Sequence, residues 1–379
     1  MFIEIKGVGF VNKGAELMLR AILQRLEPDF PEARFVLKPT PYDYENRAKL
    51  GLYQKIWFQK FGIQFGYLGK FIPAKLRQMY GTVTPEEISV VLDASGFSYS
   101  DQWGPGSTKA MAKAAAKYYK QGTPIILMPQ AFGPFSSSEI RSNFKNLAKF
   151  ATYIFPRDSV SYKHVTEIVG ESPKIIQTPD FTIGVKGTPP ESFEGNRIAI
   201  VPNYRMIDKT SKRDAGKYLP FLASCIRTLI SLGENPFFLI HEGEPDKNLA
   251  ERINQEYDFN LEIHREDDSL KLKGIIGTCK GMIGSRFHGL VSALSQGVPA
   301  LAIGWSHKYE MLFEDFDFAE GLLSFDMNEI ELTEKISLLS DPEKREIVLK
   351  KIEPAKQRNL TKVEDMWSMV IETIRKKKK

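Results

Sequence analysis

The chain has 379 residues, of which 42% are hydrophobic and 26% charged, with a formal net charge of +5. That length allows two domains of ordinary size, and the composition is that of a soluble globular protein. No apolar run is long enough for a membrane span, and the N-terminal MFIEIKGVGF lacks a signal-peptide pattern. The two cysteines, Cys225 and Cys279, fit a reducing compartment and have no neighbours at metal-ligand spacing. The expectation is a cytoplasmic protein with no metal site.

Residues 2–5 read as a first strand. It runs through Gly7-Val8-Gly9-Phe10-Val11-Asn12-Lys13-Gly14 into a helix with Ala15, Met18, Ile22 and Leu26 on its buried stripe. The turn matches neither the dinucleotide nor the phosphate-loop glycine pattern. It either cradles a ligand or is only a tight turn, and Asn12 and Glu16 are its residues able to touch a substrate. Residues 34–37 form a second strand. Residues 88–92, apolar throughout, form a strand that ends in Asp93-Ala94-Ser95-Gly96-Phe97, followed by Asp101. A helix over 108–121 leads to a strand over 124–128 that ends in PQAFGPF, which carries Gln130. Then come a helix over 139–150, a strand over 153–155 ending in Arg157-Asp158, a helix over 160–169 and a strand over 174–177 ending in Pro179-Asp180. Such alternation predicts a parallel sheet with helices on both faces and ligands at the carboxyl ends of the strands, where these polar residues sit. Asp158 reads as a helix cap.

Residues 52–80 stand apart. They hold Lys55, Lys60, Lys70, Lys75 and Arg77, no acidic residue, and a run of aromatics that includes Trp57, Phe58, Phe61, Phe65, Tyr67 and Phe71. Two readings remain open: a helical lid with lysines in water, or contact with an anionic membrane face. No nucleic-acid module accompanies the segment, so a nucleic-acid partner is not expected.

Residues 184–195, with Pro189-Pro190 and several glycines, read as a linker. The alternation then restarts. A strand over 197–201 ends in Pro202-Asn203-Tyr204-Arg205, a helix covers 215–232, and a strand over 236–240 ends in His241-Glu242-Gly243, with Asp246 opening the next helix. A strand over 261–263 and a helix over 269–279 lead to MIGSRFHGLVSALSQGVPALAIGWSHK, residues 282–308. This is a strand, a turn, a helix capped by Ser285, and a strand over 300–303. Arg286 and His288 fall in the first helical turn, where backbone N–H groups and the helix dipole favour anions. On local spacing, a phosphate or carboxylate site and an arginine paired with some carboxylate are equally supported. The organisation expected is α/β: two Rossmann-like domains facing a cleft, over residues 1–183 and 196–355, then a C-terminal helix and basic tail over 356–379 that folds back onto the first domain.

Two stretches, PQAFGPF at 129–135 and SRFHGLVSALSQGVPALAIGWSHK at 285–308, together resemble the polysaccharide pyruvyl transferase family. So do the turn around Asn12-Lys13-Gly14, Arg157-Asp158 with Ser161, and Pro179-Asp180. The sequence departs from the family where it reads Ala94-Ser95-Gly96 in place of a Gly-Gly. The resemblance implies a GT-B type fold and phosphoenolpyruvate as co-substrate, with no other cofactor. It further implies formation of a pyruvate ketal across two hydroxyls of a sugar in a surface-polysaccharide intermediate. On that resemblance Arg286, the Phe287 backbone and His288 hold the donor, Arg205 reaches it, Lys308 neutralises phosphate, and His288 moves the proton. His241 and Glu242 are second-tier residues. Asn12, Asp101, Gln130 and Arg157 face the acceptor in the first domain. A lipid-linked acceptor would bring the protein to the inner membrane face through residues 52–80. The alternatives are a nucleotide-sugar-dependent glycosyltransferase of the same fold and a non-catalytic carbohydrate-binding member.

Overall fold

The computed structural model describes residues 1–41, 43–60, 63–304 and 307–378. The chain divides into two compact units. The first comprises Met1–Phe10, Met18–Asp180 and Glu364–Lys379, and the second Val11–Leu17 and Phe181–Val363.

The first unit is built on strands β1 (Phe2–Lys6), β2 (Arg34–Leu37), β3 (Tyr53–Lys55), the short pair β4 (Gln59–Lys60) and β5 (Ile63–Gln64), β6 (Thr82–Val83), β7 (Ile88–Asp93), β8 (Ile125–Gln130) and β9 (Tyr153–Pro156). Between them run helices α1 (Lys13–Leu26), which starts in the second unit and enters the first at Met18, α2 (Tyr44–Lys49), α3 (Ala74–Met79), α4 (Pro105–Lys120) and α5 (Ser138–Phe150), and α6 (Ser159–Val169) follows β9. Seven strands form a parallel sheet in the order β6-β3-β2-β1-β7-β8-β9, while β4 and β5 pair antiparallel apart from it. Every residue of β8 is buried, so both of its faces are covered, as apolar runs in a parallel sheet require.

The second unit contains β10 (Ile198–Val201), β11 (Phe237–Ile240), β12 (Ile263–Arg265), β13 (Gly281–Gly284), β14 (Ala300–Ile303) and β15 (Leu322–Leu323), parallel in the order β12-β11-β10-β13-β14-β15. Its helices are α7 (Arg205–Asp208), α8 (Lys212–Ser231), α9 (Gly243–Glu256), α10 (Ser269–Thr278), α11 (Phe287–Ser295), α12 (His307–Asp315) and α13 (Glu329–Ser340); α14 (Pro342–Lys378) begins here and ends in the first unit. Strand order reverses beside β10, and the carboxyl ends of β10, β11 and β13 carry Asn203, His241 and Ser285 into one neighbourhood. That is the switch point at which doubly wound sheets place their sites.

Several expectations need correction. Residues 174–177 form no strand; Ile175 makes a single bridge to Ile154. The strand expected at 261–263 lies at Ile263–Arg265. The helix expected from 108 starts at Pro105, where a proline suits the first helical position. The last segment does not begin at 356, because α14 is continuous from Pro342. Residues 52–80 are no helical lid but strand β3, the β4–β5 pair, a 3₁₀ turn over Gly66–Phe71 and the short α3. Phe61, like Trp305-Ser306 of the later motif, lies outside the described residues.

The linker over 184–195 is docked rather than free. The Thr188 N–H donates to the Leu270 carbonyl at 3.1 Å, and Gly187 and Gly274 face each other. A Cβ on Gly274 would lie 2.2 Å from the Pro189 nitrogen and 2.3 Å from the Thr188 carbonyl carbon. Gly274→Ala is therefore expected to destabilise the protein by about 2 kcal/mol, although alanine normally gains about 1 kcal/mol inside a helix. Gly216, within α8, has nothing within 4 Å of that position. Gly216→Ala should stabilise by about 1 kcal/mol. Denaturant midpoints moving in the same direction for both variants would contradict this packing.

Candidate functional site

The site is the turn between β13 and α11. Ser285 is not the N-cap expected of it; Arg286 occupies that position in an extended conformation. Ser285 is wholly buried and fixes the turn from below. Its N–H donates to the Val201 carbonyl at 3.2 Å. Its carbonyl accepts from Asn203 Nδ2 at 2.6 Å and from the Tyr309 hydroxyl at 2.8 Å. The Tyr218 hydroxyl lies 3.0 Å from Ser285 Oγ and accepts the Asn203 N–H at 3.0 Å. Burial raises both phenols, so Tyr218 and Tyr309 stay protonated as donors. Three elements, β10, α8 and α12, thus tie down one backbone unit. A satisfied polar network of this kind specifies one geometry.

Arg286 projects from this turn onto α9. Its Nε and Nη2 donate to the two oxygens of Asp246 at 2.9 and 2.5 Å, and its Nη1 pairs with Glu242. Asp246 is fully buried and also accepts the Tyr204 N–H at 2.9 Å. Burial pushes the Asp246 carboxyl up to about 7, against that N–H and the charge of Arg205. Burial also brings Arg286 down to about 10, which leaves it a cation at neutral pH. Of the two readings open for Arg286, the pair with a carboxylate is the one found. Asp246, given no role from the sequence, is its main partner. The only local signal was an acidic residue in the first turn of a helix that follows a strand end.

Two imidazoles flank the start of α11. His288 belongs to its first turn, and the Phe287 ring meets it edge-on at 5.4 Å. The Gly14 backbone presses on the His288 ring so closely that a Cβ there would lie 2.1 Å from Nδ1. This contact explains a glycine in a turn that matches no phosphate loop. His241, read as a second-tier loop histidine, is buried against Gly289, with 3.2 Å from its Cδ2 to the position a Cβ would take. Burial, then the charges of Arg286, His288 and Lys13, hold its pKa well below 6.5, so it is neutral at pH 7.

The other expected residues take different places. Asn12 belongs to the second unit rather than the first: its Oδ1 caps α1 by accepting the Ala15 N–H at 2.9 Å, and its Nδ2 donates to Glu242 at 2.8 Å. Arg205, expected to reach a donor, pairs with Asp208 at 2.6 Å within α7 and is half exposed. Lys308 sits over the Phe287 and Tyr309 rings, 5.6 and 5.2 Å from their centres.

In the first unit, Gln130 is fully buried and donates to the Asp93 carbonyl at 3.1 Å. Arg157 is buried against Asp180 at 3.2 Å. Asp101 accepts the N–H groups of Ser136 and Ser137 at 2.6 and 3.1 Å. Burial would raise Asp101, but those bonds prevail and hold it below the usual range. These three side chains hold the strand-end loops together. Asp158 caps α6, accepting from the Ser161 N–H at 2.7 Å. In the PQAFGPF turn, Gly133 has φ +78° and lies against His164, which leaves no room for a side chain. Among the described residues, no group of three or more His, Cys, Asp or Glu could hold a metal.

The sequence from residue 12 to residue 307 matches the model of the family described as polysaccharide pyruvyl transferase. The chain belongs to the polysaccharide pyruvyl transferase family. No curated protein matches it in sequence. Its fold is similar to Anabaena Alr3699/HepE in complex with UDP, with a TM-score of 0.59, 12% identity and coverage of 97% of this chain and 99% of that one. It is also similar to Methanocaldococcus jannaschii UDP-GlcNAc 2-epimerase (TM-score 0.57, 11% identity, coverage 91% and 94%) and to Acinetobacter baumannii MurG (TM-score 0.54, 13% identity, coverage 99% and 99%). At such identities these likenesses establish the fold, which is of the GT-B type. Family membership makes the protein a transferase.

The two buried titrating groups beside that turn act in opposite directions. His241 contributes stability above its ordinary pKa of 6.5 that is lost as pH falls towards its depressed folded value. Asp246 contributes stability below 3.8 that is lost as pH rises through about 7. Below pH 6.5, His241→Asn should therefore gain on the parent protein by up to about 1.4 kcal/mol per pH unit. Parallel stability–pH curves for the two proteins would contradict a buried neutral His241.

Proposed function

We propose that this transferase moves the enolpyruvyl group of phosphoenolpyruvate onto two hydroxyls of a sugar in a surface-polysaccharide intermediate, forming a pyruvate ketal. The observation that carries the reading is the convergence of Arg286, His288 and the neutral His241 at one helix start, in a chain of this family. Phosphoenolpyruvate bears a phosphate and a carboxylate. A helix N-terminus with an oriented arginine matches both groups. Asp246 keeps the guanidinium in plane, while the more exposed Glu242 is the partner an incoming anion displaces. Lys308 and Arg205 lie on the flanking elements and add positive charge.

The reaction needs a proton on the methylene carbon of the enol. One sugar hydroxyl then bonds to the adjacent carbon and loses its proton. Phosphate leaves with the bonding electrons, and the second hydroxyl closes the ring with loss of its own proton. His288 is the group assigned to these transfers, because an imidazole is the side chain that most often serves general acid–base catalysis near neutral pH. His241, neutral at pH 7, is a second acceptor for a proton. The acceptor is proposed to be lipid-linked, which places the enzyme in the cytoplasm at the inner membrane face. The nucleotide-binding neighbours leave a glycosyltransferase as the competing reading, and the family of the chain is what favours pyruvyl transfer over it.

The test is phosphate release from phosphoenolpyruvate across a panel of lipid-linked and nucleotide-linked sugars. Release should depend on acceptor, and His288→Ala should lower turnover by about 10²–10⁴-fold in a protein that still unfolds cooperatively. Arg286→Ala is the poorer variant, since it strands buried Asp246 at a cost of about 3–5 kcal/mol. Full turnover in a folded His288→Ala protein would remove the assignment.

A further inference from the structure

Residues 66–80 of the first unit are arranged with their polarity reversed. In the 3₁₀ turn Gly66–Phe71 the buried residues are Gly66 and Gly69, whereas Tyr67, Leu68 and Phe71 are exposed. Gly69 packs so tightly that a Cβ there would lie 2.5 Å from Ile56 Cδ1. In α3 the buried residue is Arg77, which donates to the Ile72 carbonyl at 2.8 Å and to Glu87 at 2.6 Å. Phe71, Met79 and Tyr80 are 75%, 73% and 75% exposed, and Ile72 and Leu76 are also exposed. A surface helix ordinarily buries its apolar side and shows its charges. Here glycines and an ion-paired arginine hold the segment in place, and the large apolar side chains face outward.

The charge carried by this stretch has one sign. The stretch from 52 to 80 has no acidic residue. Lys55 is buried on Glu4 and Arg77 on Glu87, so neither contributes to the surface. Lys70 and Lys75 are exposed among the apolar side chains. Scattered apolar residues on a surface need no explanation, but a clustered set does. Of the exposed large hydrophobic residues among the described part of the chain, half fall between Trp57 and Tyr80.

We infer that this face is a docking surface for an anionic lipid bilayer. Phe71, Leu76 and Met79 would enter the headgroup–acyl boundary, Tyr67 and Tyr80 would sit at its level, and Lys70 and Lys75 would meet the anionic headgroups. Glycine and Arg77 anchoring fixes these side chains outward before any membrane is met, so docking needs no refolding of the segment. This surface is independent of the Arg286–His288 turn, and it stands whether or not that turn handles phosphoenolpyruvate.

The experiment is flotation of the full chain with phosphatidylglycerol-rich vesicles and with phosphatidylcholine vesicles, at low and high salt. The protein should float with the anionic vesicles and roughly tenfold less with the neutral ones, and high salt should weaken the interaction. Phe71→Ser/Met79→Ser should abolish flotation with the melting temperature little changed, because both side chains are already mostly in solvent. Lys70→Glu/Lys75→Glu should remove the preference for anionic lipid. No flotation at low salt would overturn the proposal. So would a dimer, detected by light scattering, that the Phe71→Ser/Met79→Ser variant dissolves, since the face would then belong to a second copy.

Discussion

The second unit depends on one buried backbone unit, Ser285. Three side chains from three parts of the chain, Asn203, Tyr218 and Tyr309, converge on its carbonyl or its hydroxyl. A carbonyl at the end of a strand would otherwise lose its partner where the chain turns away from the sheet, and leaving it bare would cost about 1–3 kcal/mol. Satisfying it with side chains instead of a further strand has a consequence. The next residue, Arg286, emerges in a single direction, onto Asp246, and His288 follows within the first turn. The chemistry of the site is inherited from that local solution.

The Arg286–Asp246 fork is the second constraint. A buried ion pair adds little net stability, but breaking it is expensive. It orients the guanidinium and fixes α9 against α11, and Glu242, beside His241, immediately precedes α9. Neutral His241 follows from this arrangement, because it is buried among cations from Arg286 and Lys13. A helix start with a held arginine, a neutral imidazole and a second imidazole pressed by Gly14 is a prepared environment for anions and protons, whichever substrate it receives.

Much of the fold could be read from the sequence because both sheets are parallel and buried. Apolar strands alternate with amphipathic helices, and turn residues mark the boundaries. PQAFGPF and SRFHGLVSALSQGVP were recognisable as a pair. Partnerships were not. Arg286 and Asp246 are 40 residues apart, and Asn203 and Ser285 are 82 apart; no local pattern announces such contacts. For the same reason the internal partners of Gln130, Arg157 and Asp101 could not be read: position at a strand end is visible in sequence, but the bonds a side chain makes there are not. Residues 52–80 show the same limit. Composition signalled basic and aromatic character, but only the structure separates buried Lys55 and Arg77 from the exposed remainder.

The most direct measurement of the central claim is calorimetric titration of the protein with phosphoenolpyruvate and, separately, with UDP. The account predicts saturable binding of phosphoenolpyruvate that Arg286→Lys weakens by about tenfold or more, since a lysine cannot keep the fork on Asp246 and still present a planar donor. Saturable UDP binding with no heat from phosphoenolpyruvate would contradict it.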